Sequence, residues 1–448
     1  MPGFSSFLIA APHSGAGKTT VTLGLLRALQ DRGQRTQPFK CGPDFIDPIH
    51  HTNAAGRPSI NLDLYMMSPD HIRDLYKRYT ADADVAITEG VMGLFDGAQK
   101  REGSSADMAA LLQLPVILIL NAKALAYSAA ALLYGLKHFD PALRIAGVIF
   151  NFVETATHYQ LLKEACTDAG IPALGHLPTN KDLHIPSRHL GLDTAESGDA
   201  IAAAARHIGK HLDLDAILSL TASPPPDARK PSAAQSPSPV PKTSNPPARG
   251  DKTILVARDA AFHFLYPENL RRLGNFGRLH FFSPLNDIHL PTGDLLYLPG
   301  GYPELYLEQL SNNKTLLEDI RGFADKGRIL AECGGMMFLG RHIVDESGKC
   351  WPVTGLLDIE TGLQAQKLSL GYRTLTIDGQ ALKGHEFHYS QFVHDPAPAS
   401  AAKIIVTGAR GQEVPAPVFY RQNVFASYMH FYWGESSGPL ESWLASAV

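Results

Sequence analysis

Phe7-Leu-Ile-Ala-Ala-Pro-His-Ser-Gly-Ala-Gly-Lys-Thr-Thr20 decides the architecture of the first half of this 448-residue chain. A short apolar run enters a turn with two glycines and leaves into a helical pattern near Thr19–Asp31. Strand, Gly-rich loop and helix in that order make a phosphate loop. Gly15 and Gly17 let backbone N–H groups converge on phosphate oxygens, and Lys18 carries a positive charge to the outer phosphates. Thr19 can place its hydroxyl on Mg²⁺, and Ser14 and Thr20 complete the nucleotide-binding set. The fuller pattern has glycine five residues before Gly17, where this chain has Pro12; the Gly-Lys-Thr core and its context remain.

Working outward, the apolar runs Val85–Thr88, Val116–Leu120 and Ile145–Phe150 each stop at a polar residue: Glu89, Asn121 and Asn151. Continuous apolar strands of this kind belong to a parallel sheet buried on both faces, whose ligands gather at the strands' carboxyl ends. Two acidic segments sit at such ends. Lys40-Cys-Gly-Pro-Asp-Phe-Ile-Asp47 follows a short strand near Thr36–Phe39, and Thr88-Glu-Gly-Val-Met-Gly-Leu-Phe-Asp96 follows what reads as the third strand. Glu89 and Asp44, with Thr19, are candidate metal ligands. Asp44, Asp47 and Asp96, on loops beside Glu89, are candidate metal or phosphate-site residues, the plain alternative being that they cap helices or turns. Asn151, at the end of the expected fifth strand, can hydrogen-bond a nucleotide base or fix a turn.

From Ser223 to Gly250 the chain is rich in Pro, Ser and Ala and lacks large apolar residues, so burial cannot offset its ordering entropy. It reads as an extended linker between residues 1–220 and 251–448. Beyond it the α/β rhythm returns at Ile254–Ala257, Leu279–Phe282, Leu295–Leu298 and Ile329–Ala331.

Ala331-Glu-Cys-Gly-Gly-Met336 places Cys333 on a strand-to-helix turn, the kind of elbow that exposes a nucleophile. The helix end is expected to lower the thiol's pKa. Gly334 can offer an N–H to an oxyanion, and Pro299-Gly-Gly301 a second, at Gly301. The base such a thiol needs is found in His430. A carboxylate often stands two residues further on to orient the histidine, but Tyr432 holds that position, so the pair reads as a dyad. His385, Glu386 and His388, on a sequence that fits a strand edge, are substrate-pocket candidates, and their His-x-x-His spacing is only loosely metal-like.

A formal net charge of −4 gives no electrostatic case for nucleic-acid or membrane-surface binding. The four cysteines (Cys41, Cys166, Cys333 and Cys350) form no CxxC pair, and no apolar stretch is long enough for a bilayer; the expected setting is the cytoplasm. A homodimer is kept as an oligomeric expectation.

A phosphate loop and an ammonia-releasing thiol in one chain point to ATP-driven amide formation, with ATP activating a carboxylate as an acyl phosphate and ammonia attacking it. The motifs Ser14–Thr20, Gly42-Pro-Asp-Phe-Ile-Asp47, Glu89–Gly97, Leu298-Pro-Gly-Gly-Tyr-Pro-Glu304, Glu332-Cys-Gly-Gly335 and His385-Glu-Phe-His-Tyr389 occur in that order. The chain thereby resembles the cobyrinic acid a,c-diamide synthase family over nearly its whole length outside the linker. The resemblance implies an α/β chain with an amino-terminal, dethiobiotin-synthetase-like parallel-sheet domain and a carboxyl-terminal class I glutamine amidotransferase domain of flavodoxin-like form. It implies ATP, L-glutamine and Mg²⁺, and two amidations on the a and c acetates of cobyrinate or a related modified tetrapyrrole. It places Lys18 and Thr19 on the phosphate loop, Asp44, Asp47, Glu89 and Asp96 at the metal, phosphate or activation site, Cys333 as nucleophile and His430 as base. Rivals are cobyric acid synthase, against which Gly42–Asp47 speaks, the same chemistry on hydrogenobyrinate or nickel sirohydrochlorin, and a non-catalytic ATPase switch with an interaction domain, which has no need of Cys333.

Overall fold

The computed structural model describes residues 3–180, 183, 194–223, 252–364, 368–396, 403–420, 423–436 and 438–445. The chain divides into two compact units, Met1–Pro237 and Ser238–Val448. The linker expected over 221–250 lies outside the described residues from 224 onward. Its first three residues belong instead to the amino-terminal unit: Thr221 N donates to Ile217 O at 3.1 Å, Ala222 bridges to Ser5, and Ser223 N donates to Phe4 O at 2.9 Å.

Seven strands build the first sheet: β1 (Ser5–Ala10), β2 (Thr36–Cys41), β3 (Ile60–Leu62), β4 (Val85–Glu89), β5 (Val116–Asn121), β6 (Ile145–Asn151) and β7 (Ala173–Leu177). They lie in the order β3-β2-β4-β1-β5-β6-β7, every neighbour parallel. The central strands are apolar on both faces because helices cover both; Ile117, Leu118 and Ile119 are fully buried. Two strands escape a reading of apolar runs: β3 has three residues, and Gly175 and His176 interrupt β7. Glu89 therefore ends the fourth strand rather than the third, and Asn151 the sixth rather than the fifth. Helix α1 (Lys18–Asp31) follows β1, and α2 (Ile46–Ala55) follows β2. Register decides the site: Glu89 is level with Ile9 on β1 and Lys40 on β2, so the phosphate loop, Glu89 and Lys40 emerge side by side.

The second unit contains β8 (Thr253–Ala257), β9 (Arg278–Phe282), β10 (Leu295–Leu298), β11 (Arg328–Glu332), β12 (His342–Val344), β13 (Cys350–Pro352), β14 (Glu360–Gly362), β15 (Ser369–Ile377), β16 (Gln380–His388), β17 (Gln391–Phe392), β18 (Ile404–Gly408), β19 (Val418–Tyr420), β20 (Val424–Ser427) and β21 (His430–Phe431). Its main sheet runs β19-β20-β11-β10-β8-β9, parallel except for β19 at one edge. Two four-stranded sheets, β13-β12-β14-β17 and β18-β15-β16-β21, are additions that apolar periodicity did not reveal. Asp378-Gly379 closes the β15–β16 hairpin, both residues at positive φ (48° and 84°) as a tight two-residue turn requires. His385 is not at a strand edge, being paired to Tyr372 on β15 and to His430 on β21, whereas Glu386–His388 run past the two-residue β21 and pair with β15 alone among the described residues.

Candidate active sites

Around the phosphate loop the charges are crowded together. Gly17 sits at φ 98°, and a Cβ there would meet Asn151 Nδ2 at 2.2 Å, so this turn admits only glycine. Asn151 Nδ2 donates to Ala16 O at 3.0 Å, and its Oδ1 accepts from Phe152 N at 3.1 Å. Of the two roles read from sequence, these bonds carry the structural one: Asn151 fixes the loop. Lys18 Nζ donates to Met92 O at 2.6 Å, which ties α1 to the segment after β4; burial holds its pKa below the ordinary lysine value.

Thr19 Oγ1 donates to Glu89 Oε1 at 2.7 Å and lies 3.5 Å from Asp47 Oδ2. Lys40 Nζ reaches Asp47 Oδ2 at 2.5 Å, Glu89 Oε1 at 2.9 Å and Asp44 Oδ2 at 4.0 Å. His51 Nε2 meets the other Glu89 oxygen at 2.7 Å. Burial opposes charge on Lys40, yet Asp47, Glu89 and Asp44 outweigh it and raise the ammonium's pKa. Burial likewise opposes charge on Glu89, but Lys40 and His51 hold its carboxyl below the usual range.

Asp44 and Asp96 also do the plain work foreseen for them. Asp44 Oδ1 accepts from Ile46 N at 2.8 Å and Asp47 N at 3.2 Å at the entry to α2, and Asp96 Oδ2 accepts from Gly93 N at 2.9 Å. Sequence reading passed over Lys40 and His51. A lysine at the end of a buried β-strand was the available sign, since such a charge persists only where it is paired.

The hydroxyl and carboxylate oxygens of Thr19, Glu89 and Asp47 converge, and a cation, Lys40 Nζ, already stands among them. These are hard donors of the kind Mg²⁺ takes, one or two protein ligands being enough when phosphates supply the others. The residues therefore fit that metal. Among the described residues, no group of three or more His, Cys, Asp or Glu could form a cage for a metal by itself, the His385–His388 cluster included.

Around Cys333 charge is suppressed instead. Cys333 adopts φ 46°, ψ −108°, a strained conformation for a side chain, between β11 and the helix Gly334–Phe338. Cys333 N donates to Ser427 O at 2.7 Å, which pins the elbow to β20. Gly335 packs against β10 so closely that a Cβ would lie 2.1 Å from Leu298 O. The expected lowering of the thiol's pKa does not occur. Burial pushes it well above the ordinary cysteine value, Glu304, Glu386 and Glu332 add to the rise, and the Gly334 N–H offsets only part of it. A helix of five residues has too little dipole to prevail.

His430 is fully buried on β21, and burial followed by His385 and His388 holds its pKa well below the usual histidine value. Thiol and imidazole thus both rest neutral. The turn Gly300–Gly301 packs against both His430 and the helix that follows Cys333. A Cβ on Gly300 would lie 2.2 Å from His430 Cε1, and one on Gly334 would lie 3.1 Å from Gly301 O. His263 N and Phe264 N both donate to Gly300 O, at 3.1 and 3.0 Å, and hold that turn. The His430 ring stacks on His385 (5.0 Å between centroids, 21° between planes) and leans on Phe264 (5.7 Å). His385 is accordingly part of the frame behind His430. His388 stacks on Tyr428 at 3.8 Å, and Glu386 pairs with Arg373 at 2.7 Å.

A parallel-sheet phosphate-loop domain and a thiol-elbow domain in one chain define a glutamine-dependent amidating ligase. Residues 7–192 match the CobQ/CobB/MinD/ParA nucleotide binding domain, and residues 253–438 the CobB/CobQ-like glutamine amidotransferase domain. The cobyrinate a,c-diamide synthases of Salmonella typhimurium and Syntrophotalea carbinolica are 38% and 40% identical, covering 99% and 98% of this chain and 98% and 97% of their own. The hydrogenobyrinate a,c-diamide synthase of Brucella anthropi is 40% identical over 95% of this chain and 97% of its own. The chain belongs to the cobyrinate/hydrogenobyrinate a,c-diamide synthase family. Among the described residues no helix is long and apolar enough to cross a membrane.

Proposed function

We propose that this enzyme amidates the a and c acetate carboxylates of cobyrinate, using ATP and glutamine, in cobalamin synthesis. The observation that carries the reading is the contrast between its two sites: one gathers charge at a phosphate loop, the other keeps a nucleophile and its base neutral. In the second unit His430 accepts the Cys333 proton as sulfur attacks the glutamine amide carbon. The developing oxyanion has donors at the Gly334 N–H and the Gly300–Gly301 turn. His430 returns the proton to the departing ammonia, and water then releases glutamate. In the first unit the phosphate loop and Lys18 hold the ATP phosphates while the substrate carboxylate takes the γ-phosphoryl group, releasing ADP. Ammonia displaces phosphate from the acyl phosphate and leaves the amide. Bound Mg²⁺, held by Thr19 and Glu89, would neutralise charge on the phosphates. Lys40, held by Asp44 and Asp47, would offer the positive charge against which the substrate carboxylate is positioned.

The ring is the finer part of the proposal, because relatives named for both rings are equally similar at 40%. Mass spectrometry after incubation of cobyrinate and, separately, hydrogenobyrinate with ATP, Mg²⁺ and glutamine tests it. Two amide groups gained on cobyrinate are expected. A gain on hydrogenobyrinate alone would move the enzyme to the cobalt-free branch, and no gain on either would overturn the reading.

A further inference from the structure

Three carboxylates act on the Cys333 thiol: Glu304, Glu386 and Glu332. Two already have partners. Glu332 accepts from Tyr297 OH at 3.0 Å and Phe431 N at 3.4 Å, and Glu386 is paired with Arg373 at 2.7 Å. Glu304 differs. Its Oε2 is shut away from solvent and has no hydrogen-bond partner among the described residues, and Glu304 heads the three charged groups acting on the thiol. Its place is fixed by the turn Pro303–Leu305, whose Pro303 ring crowds the helix that starts after Cys333: a Cβ on Gly334 would lie 2.7 Å from Pro303 Cδ. Tyr428, which accepts a hydrogen bond from Ser390 at 3.1 Å, feels both Cys333 and Glu304, so the three side chains share one neighbourhood.

A buried carboxylate oxygen without a donor is costly, and such a group persists where a ligand supplies the missing partner. The ligand of this site brings one: glutamine carries an α-ammonium several bonds from the amide that Cys333 attacks. We propose that Glu304 receives the α-ammonium of glutamine and is the residue by which this enzyme selects glutamine over other primary amides. The inference rests on the reading of Cys333 as the glutamine nucleophile. Burial pushes the Glu304 carboxyl up to about 7, and an incoming ammonium returns it to the charged form. Glu304 makes no bond to the reacting amide; its contribution is to substrate binding and placement.

The test compares glutamine with 4-carbamoylbutanoate, the same molecule without its α-amino group, in the full-length enzyme and in Glu304→Gln. The wild type should prefer glutamine in kcat/KM by about 10²-fold or more. In Glu304→Gln the value for glutamine should fall by a similar factor, while that for 4-carbamoylbutanoate should change less than about threefold. Ammonium-dependent amidation serves as the control for folding. Equal loss on both amides would make Glu304 a support of the elbow and overturn the proposal, and so would undiminished preference for glutamine. If Glu304→Gln does not fold, Glu304→Asp carries the same comparison, with a smaller but selective loss on glutamine expected. Retention of glutamine use in Cys333→Ala would remove the underlying reading, whereas loss there with intact discrimination in Glu304→Gln would sink this inference alone.

Discussion

The two units place their chemistry at the same structural address, the carboxyl ends of parallel strands, and treat charge in opposite ways. At the end of β4 and β2, Lys40 Nζ sits 2.5 Å from Asp47 and 2.9 Å from Glu89; the two carboxylates keep the ammonium charged, and the ammonium holds Glu89 ionised. At the end of β11, Cys333 and His430 are both pushed toward their neutral forms. The difference follows from what is handled. ATP arrives with permanent charge and needs fixed counter-charge, whereas amide hydrolysis moves a proton between sulfur, imidazole and leaving nitrogen, which asks for two groups that can exchange one.

The sharpest way to break the comparison is to remove one side of it. Cys333→Ala should lower glutamine-dependent amidation by about 10³-fold or more and leave amidation from ammonium salts intact. Loss of both would mean that the elbow also supports the ATP site. Lys18→Ala should depress amidation from either nitrogen source by about 10²-fold or more, read as ADP release with substrate present. Normal turnover in that variant would put ATP elsewhere.

Lys40 tests the charge cluster as an object of stability. Lys40→Met leaves Glu89 and Asp47 buried without their cation, a change that costs about 3–5 kcal/mol where a buried pair loses one member. Urea unfolding of the two proteins measures it. Because Thr19, Glu89 and Asp47 also suit Mg²⁺, added Mg²⁺ should recover more stability in Lys40→Met than in the wild type. An equal gain in both would show that the metal does not replace the ammonium.

How much of this was legible depends on sequence distance. The phosphate loop could be read because its strand, glycines, lysine and threonine are contiguous, and the Cys333 elbow for the same reason. Lys40 could not, since its partner Glu89 is 49 residues away and only parallel register brings them level. His51 reaches the same carboxylate across 38 residues. The thiol's pKa was misjudged because the helix dipole is a local feature, while burial and the carboxylates Glu304 and Glu386 arrive from separate segments. The β15–β16 hairpin is the opposite case. Asp378-Gly379 is a plain turn signal, and it went unread because the flanking strands alternate too weakly to draw attention.

The smallest expected effect concerns the frame of His430. His385 stacks on it and is itself held near neutral, its pKa lowered to about 3 by burial, so at neutral pH it can support the base without competing for the proton. An aromatic pair of this kind contributes about 0.5–1.5 kcal/mol, which corresponds to a loss of about 2- to 10-fold if the ring is removed. His385→Ala should therefore reduce glutamine-dependent kcat by that factor without touching the ammonium-dependent rate. His385→Phe, which keeps a flat ring, should recover most of it. The alternative is that a His385 nitrogen matters, through its 3.5 Å contact with Tyr266 OH. In that case His385→Phe would fall as far as His385→Ala, and the dyad would depend on a polar relay rather than on packing.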